Sequence, residues 1–352
     1  MTRPSLSIMK KFLFYTLTLA AGIIIFILVI GEVGGKEIAK AMAYFPFWKW
    51  AVVTATGLIS FCVGILRWRF IIKILTGKNL PLKLITMAKT IGWTIAYITP
   101  ISYIGGEPHK IHLLKDQADI DWEPAGASVI IDEVLELSVA LLFLVVGVIF
   151  LFLKFSMPAI LWLFLGGAMA TCITLWLIFW RQTKSGKGFV SFFIRLFSLD
   201  KIKWVNGIQD KVKNAEKQTR NFFHYHKRAF GAALALAFLE RFILIITFWL
   251  MVEFLGGRTN IFQIMGIMSL TVAVNFLPLP ASLGGQEASQ TIVFGIFGLG
   301  AGTGLAFSLI LRVLCLAGVV VGLIFLLNFE LKIVKQKIAQ AGERLNNFFG
   351  RF

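Results

Sequence analysis

"TPISYIGGEPHK", Thr99–Lys110, interrupts a run of mostly apolar residues that begins at Leu84. A proline, two adjacent glycines, a carboxylate and basic groups stand where a membrane helix would otherwise continue. The chain does nearly the same at "LPLPASLGGQEAS", Leu277–Ser289. Pro100 and Ser102 precede Gly105-Gly106 and Glu107, as Pro280 and Ser282 precede Gly284-Gly285 and Glu287. The next charged residue inside an apolar run follows 25 positions after each carboxylate, at Asp132 and at Arg312. Interrupting a helix in lipid strands backbone N–H and C=O groups, which is tolerated only where they face protein or a water-filled cavity. Glycine allows sharp turns and close backbone approach. A helix restarting after the break offers free N–H groups and a positive dipole end to an anionic head group. Paired Gly/Pro-broken segments at corresponding places in two halves point to the central site of a transporter.

The surrounding composition is that of a membrane protein. Hydrophobic residues make up 58% and charged residues 15%, against about a quarter charged in soluble domains. Several apolar runs reach the roughly 20 residues that span a bilayer. The predicted fold class is an all-α polytopic membrane protein. It is a helical bundle with two broken, re-entrant segments and an inverted-topology repeat, built as one integral membrane domain over 1–352. These residues leave no room for a separate soluble domain. The net charge of +17 is concentrated between the apolar runs. That placement points to the positive-inside rule and to anionic inner-leaflet lipids, and away from nucleic acid. Cys62, Cys172 and Cys315 lie inside apolar runs and imply no disulfide framework.

Spans are expected near 12–30, 47–66, 126–153, 157–180, 229–255 and 304–328. The first, Phe12–Ile30, follows Arg3, Lys10 and Lys11. It is longer than the about 7–15 residues of a signal-peptide core, so it reads as a retained helix with a cytoplasmic N-terminus. Arg67, Arg69, Lys73, Lys78 and Lys83 read as a cytoplasmic loop after the second span. The segment 181–228 carries twelve Lys/Arg against three Asp/Glu, the strongest cytoplasmic signal in the chain. Val190, Phe193, Ile194 and Phe197, then Ile202, Val205, Ile208 and Val212, fall at helical spacing. They suit either amphipathic helices lying on the inner leaflet or a packed helical hairpin. The tail 329–352 repeats the basic amphipathic pattern and is also expected in the cytoplasm. The location expected is the cytoplasmic (inner) membrane.

Counting sides, 84–124 must enter from the cytoplasm and return to it, because Glu107–Glu123 is too charged for a second span. The region 261–300 is either re-entrant from outside or two ordinary spans. With the first choice, the half 47–153 and the half 229–328 run in opposite senses.

Ionisable residues at membrane depth cost about 2.5–3.5 kcal/mol each and are functional candidates by default. Here they are Asp132, Glu133, Glu136, Glu240, Arg241 and Arg312. Asp132 and Glu136 stand four apart and share a helix face. Arg312 is expected to meet that face in the bundle interior, as a transport site or as an ion-pair clasp between the halves. Glu240 and Arg241 are adjacent and need separate partners. The candidate substrate-binding residues are Gly105, Gly106, Glu107, His109, Lys110, Asp132, Glu136, Glu240, Gly284, Gly285, Glu287 and Arg312. Lys110 and Arg312 suit a phosphate, as does His109; the acids suit cationic groups. No metal or other cofactor is expected, since Glu107-x-His109-x-x-His112 lacks the HExxH arrangement. "GLGAGTG", Gly298–Gly304, is followed by no GK[ST] and is not a phosphate loop. No nucleophile–base pair stands out, so the sequence reads as a lipid transporter rather than an enzyme. A membrane-embedded lipid-modifying enzyme and an accessory subunit of a glycolipid or cell-envelope assembly complex remain the alternatives.

In "GGEPHK", "SVIIDEVLEL", "LPLPASLGGQE" and "LILRVLCLAG" the chain resembles the lysylphosphatidylglycerol synthase membrane-domain family of flippase-like proteins, from about 12 to 328. Lys110 stands where that family usually has Arg, Glu133 replaces an Arg between the two acids, and Gln286 precedes Glu287 where Arg is common. The resemblance implies movement of a lipid or lipid-linked precursor between leaflets. In two-domain members a soluble synthase makes the aminoacylated phosphatidylglycerol that the membrane part flips. Stand-alone relatives are associated with hopanoid, glycolipid or polyprenyl-linked substrates. A separately encoded lipid-synthesis enzyme is therefore an implied partner.

Overall fold

In hydrocarbon every backbone N–H and C=O must pair within its own segment. The described residues meet that demand with helices alone. The computed structural model describes residues 45–99, 105–196 and 203–349, with isolated positions between 23 and 36; for 203–206 and 330–349 it describes backbone only. Helix α1 is Phe47–Thr76, α2 Leu82–Ile98, α3 Glu107–Ala118, α4 Trp122–Lys154, α5 Ala159–Ser185 and α6 Phe189–Leu196. Then come α7 Lys203–Tyr225, α8 Lys227–Phe254, α9 Ile261–Val274, a 3-10 turn Pro280–Ser282, α10 Gly285–Ile296 and α11 Ala301–Phe349.

Among the described residues, α4, α5, α8 and the 301–329 part of α11 are long and apolar enough to cross a membrane. They match the spans expected at 126–153, 157–180, 229–255 and 304–328. The run 12–30 falls almost wholly outside the described residues. The run 47–66 is only the first part of α1, which continues unbroken to Thr76. Arg67 and Arg69 therefore belong to a helix and not to the expected loop. That loop starts at Gly77, whose left-handed φ of 71° ends α1 while its N–H donates to Lys73 O. The tail expected as a separate element is a continuation of α11 as far as Phe349.

Both broken regions are helical hairpins of short arms. At 1.5 Å per residue the 17 residues of α2 extend about 26 Å and the 14 of α9 about 21 Å. The 12 residues of α3 and of α10 extend about 18 Å. A long helix, a short helix, a break, a short helix and a long helix thus occur in that order twice, as α1 to α4 and as α8 to α11. In the first break Gly106 lies so close to α2 that a Cβ there would strike the carbonyl of Gly92. Gly92 in turn leaves room for the Lys110 stem, since its own Cβ would fall 2.6 Å from Cε. Pro100 and Ser102 lie outside the described residues. In the second break Ala281 and Ser282 take left-handed φ values of 54° and 50°, which costs roughly 1–2 kcal/mol per residue. The Ser282 hydroxyl donates to Asn275 Oδ1 at 2.7 Å.

Each half grips the other. Helix α1 packs on α8, α2 on α11 and α9 on α4. Where α2 crosses α11, Gly322 receives Thr90 and Thr94; where α9 crosses α4, Gly147 receives Ser269. Small residues at such crossings let helices approach closely when lipid supplies no hydrophobic drive to associate. Apolar side chains such as Leu142, Ile149, Phe152, Leu163 and Leu177 remain exposed, as a lipid-facing surface requires.

The basic segment 181–228 is packed rather than free. Helix α7 lies along α4 and against α6, with Ala215 opposite Gly126 and Phe222 fully buried. In this arrangement α6 and α7 pack on one another, and α7 packs on the bundle. Phe197 and Ile202 lie outside the described residues.

Gly106 and Gly57 make opposite predictions. Gly106→Ala must push α3 off α2 and should cost about 1–3 kcal/mol, the usual overpacking penalty. Gly57, in α1, has nothing within 4 Å of an added Cβ. Gly57→Ala should leave the melting temperature unchanged or raise it. Equal melting temperatures for the two variants in detergent would contradict the hairpin contact.

Candidate functional site

A guanidinium on an apolar helix must find carboxylates or unfold its surroundings. Arg67 of α1 finds three. Its Nε donates to Asp132 Oδ1 at 2.6 Å, its Nη2 to Glu136 Oε2 at 3.0 Å, and its Nη1 to Glu240 Oε2. Asp132 and Glu136 come from one face of α4, as their spacing predicts, and Glu240 comes from α8 across the bundle. Lys89 of α2 adds a second cation, 3.2 Å from Asp132 Oδ2. The sequence leaves space for this convergence at Gly64, where a Cβ would lie 2.9 Å from Lys89 Nζ and against Glu240 Oε1. One turn earlier the Ser60 hydroxyl donates to the Glu240 carbonyl at 2.9 Å and ties α1 to α8.

The side chains of Arg67 and Asp132 are 0% and 3% exposed, whereas Glu136 is 40% exposed. The cluster is therefore sealed at Arg67 and open at Glu136. Three carboxylates face Arg67 and Lys89 directly, and Arg241 lies near enough to Glu136 to sense its charge.

Lys110 extends the charged zone. Its Nζ is 2.6 Å from Glu133 Oε1, and the residue is only 7% exposed. Its charge is matched by an acid, so a lipid phosphate, its expected partner, would compete with Glu133 for it. Glu133, on the neighbouring face of α4, is what turns Lys110 inward. His109 is exposed. Glu107, in the first turn of α3, has a buried Oε2 that accepts no hydrogen bond among the described residues. His112 pairs with Asp116 at 3.2 Å. Among the described residues no group of three or more His, Cys, Asp or Glu side chains is placed to hold a metal ion.

The second break carries its own pair. Glu287 is fully buried in the first turn of α10. Its Oε2 accepts from the Gly284 N–H at 2.8 Å, and its Oε1 accepts from Arg312 Nε at 2.5 Å. Arg312 Nη1 also donates to Ala281 O at 3.4 Å, so one guanidinium binds both sides of the strained turn. Gly284 takes φ 75°; Gly285 sits against Val274, 2.8 Å from an added Cβ. Gln286 and Gln290 both donate to Thr271 Oγ1, at 3.3 and 3.0 Å, and line the same hairpin with polar groups.

Arg312 thus does not meet the Asp132/Glu136 face. The physical reason is proximity within each half. Glu287 opens α10 directly beside α11, while Arg67 reaches Asp132 from α1. Arg67 and Lys89 are the residues that sequence reasoning missed. The basic residues that follow Arg67 in the sequence suggest a loop there. Gly64, Ile65, Trp68, Ile71 and Ile72 around it keep helical spacing and are buried, and that is the signal that α1 runs on.

The end of α2 packs against the Pro280–Ser282 turn, and Tyr97 lies near enough to Arg312 and Glu287 to sense both charges.

The family pattern described as the lysylphosphatidylglycerol synthase TM region matches residues 13–333. No curated protein and no solved structure matches the chain.

Removing one partner of a buried ion pair strands the others. Arg67→Leu, which takes the shared guanidinium from three carboxylates, should lose about 3–5 kcal/mol. Arg67→Lys keeps the charge but not the three-way geometry and should lose less. Thermal unfolding of the purified protein checks both; a wild-type melting temperature for Arg67→Leu would refute the clasp.

Proposed function

The chain belongs to the lysylphosphatidylglycerol synthase TM-region family, which makes it a membrane lipid-related protein, and we propose that it is a transporter moving a lipid or lipid-linked head group between leaflets of the cytoplasmic membrane. The observation that carries this reading is the pair of broken hairpins, each with charged or polar side chains at its break, one abutting the other in the bundle. Backbone broken inside a membrane bundle must line protein or a polar cavity. A polar route of that kind lets a head group cross while its tails stay in lipid.

The cluster of carboxylates around Arg67 and the Glu287–Arg312 pair give the route charged stations of different character. At the first, Glu136 is the accessible carboxylate and favours a cationic moiety. At the second, Arg312 shares its charge with Glu287 and the Ala281 carbonyl, and a phosphate can compete for it. Glu107 and the exposed His109 stand beside the first break. Gly105, Gly106, Gly284 and Gly285 serve by keeping side chains out of it. Apart from Glu107 and His109, the titratable candidates are engaged in ion pairs, which favours transport over catalysis. The substrate is then supplied by a separately encoded lipid-synthesis enzyme.

Two measurements test this. In liposomes holding the purified protein and a head-group-labelled phospholipid, leaflet exchange should exceed that of protein-free vesicles. Glu287→Gln or Arg312→Gln should slow it by roughly tenfold, the equivalent of about 1.4 kcal/mol at the barrier. No exchange above protein-free vesicles for anionic, zwitterionic or aminoacylated lipids overturns the transport reading.

The opposite orientation of the halves has a separate check. A cysteine at Lys78, between α1 and α2, should react with an impermeant reagent from the cytoplasm. One at Arg258, between α8 and α9, should react only from outside. Labelling of both from one side rules out an inverted repeat.

A further inference from the structure

Away from the charged clusters of the hairpins, a cavity of about 400 Å³ opens where α5, α6 and α7 meet. That volume lies within the roughly 300–1,000 Å³ of ordinary ligand pockets. Five cations line it, Lys187, Arg195, Lys213, Lys217 and Arg220, against a single acid, Glu216. The acid is turned to another use. Glu216 Oε1 accepts from the Val190 and Ser191 N–H groups at 2.6 and 3.2 Å, and Oε2 accepts from the Ser191 hydroxyl at 2.5 Å. Both its oxygens are spent on starting α6, and burial pushes its carboxyl above the usual carboxylate range. Lys213 is matched by Asp210 at 3.2 Å. Lys187, Lys217 and Arg220 form no ion pair among the described residues.

The loop is shaped around these charges. Gly186 and Gly188 both take left-handed φ, 72° and 79°. A Cβ on Gly186 would strike the Arg220 guanidinium, and one on Gly188 would strike the Glu216 carboxylate. Gly188 therefore leaves room for Glu216 to reach the start of α6, and Gly186 lets the Arg220 guanidinium lie against the loop.

The depth of the cavity identifies what it faces. It begins at Phe179, beside Trp180 of α5, and its cationic wall lies about one turn further on. The Trp180 ring lies tilted at 5.0 Å from Phe223, and Phe179 meets Phe189 edge-on at 5.6 Å. Tryptophans at the end of an apolar helix mark the interface between acyl chains and head groups. The next turn of α5 is at phosphate level, where basic side chains and anionic lipid attract each other. We propose that this cradle binds the phosphate of an anionic phospholipid head group in the leaflet on the basic side, at a site separate from the translocation route.

Its assignment to the cytoplasmic leaflet rests on the orientation proposed above; its ligand chemistry does not. Ile130 of α4 lines the cavity, two residues before Asp132, and Ala215 of α7 rests on Gly126 of α4. Occupancy would therefore brace α7 against the helix that carries the acidic face.

The test uses the full-length protein in nonionic detergent, read by tryptophan fluorescence and melting temperature. Dihexanoyl phosphatidylglycerol should bind saturably, and dihexanoyl phosphatidylcholine should not. Lys217→Gln/Arg220→Gln should weaken binding roughly tenfold, and Lys187→Gln should weaken it in the same direction. Lys73→Gln/Lys83→Gln removes the same charge from exposed positions elsewhere and should bind as wild type does. Equal weakening in that control means general charge attraction and overturns the cradle, as does equal binding of phosphatidylcholine. Inorganic phosphate matching the lipid at the same concentration assigns the site to a soluble phosphate compound and overturns the lipid. Binding is read without leaflet exchange, so its failure and the failure of transport are separate results.

Discussion

The Arg67 guanidinium is the group around which the bundle is arranged. It is fully buried and bonded to carboxylates from α4 and α8. A buried charge costs several kcal/mol in desolvation even after relaxation, and it is tolerated only with excellent geometry and full hydrogen bonding. That requirement reaches outward. Asp132 and Glu136 must share a face, Gly64 must lack a side chain, and Lys89 must come in from α2. Glu240 must be presented by α8, whose backbone Ser60 also holds. Since α1 and α4 open and close one half and α8 opens the other, this one contact joins the two halves.

The breaks obey a different constraint. A helix stopped inside a bundle leaves carbonyls and N–H groups to be satisfied, and each hairpin answers locally. In the first, Gly92 and Gly106 let two backbones touch. In the second, strained φ values at Ala281 and Ser282 are held by Arg312, Glu287 and the Gly284 N–H. Strain of this kind persists only where surrounding contacts over-determine it, and it concentrates at functional positions. The basic end of the molecule is organised with the same economy: the one acid in the α5–α7 cradle starts a helix, and five cations line the cavity around it.

Part of this was legible from residue order and part was not. The helical hairpins were, because "GGEPHK" and "LGGQEAS" cannot continue a helix in lipid without stranding polar backbone. The shared face of Asp132 and Glu136 was, because a spacing of four fixes it. The pairing of Arg312 was not. Matching Asp132 with Arg312 by position in the two halves suggested that they meet, yet each is closer to a group of its own half. The Lys110–Glu133 pair was hidden for a related reason: one dimension shows Lys110 beside histidines and lysines, while folding brings Glu133 against it. Arg67 was hidden among loop residues because basic clusters near a span end usually mark the water interface.

By itself, the amino-acid order determined that this chain lives in a membrane as helices, where two of its hydrophobic segments break, and that Asp132, Glu136, Glu240 and Arg312 stand on its long apolar helices. Those follow from local quantities: hydropathy, helical period, and the backbone freedom of glycine and proline. Only the tertiary structure decided which charge neutralises which. Pairing depends on which helices cross and at what separation, and those crossings are set by contacts between residues far apart in sequence, such as Gly147 with Ser269 and Gly322 with Thr94. Low dielectric then makes the outcome strict, since a buried charge that misses its partner by a few ångströms loses most of its stabilisation.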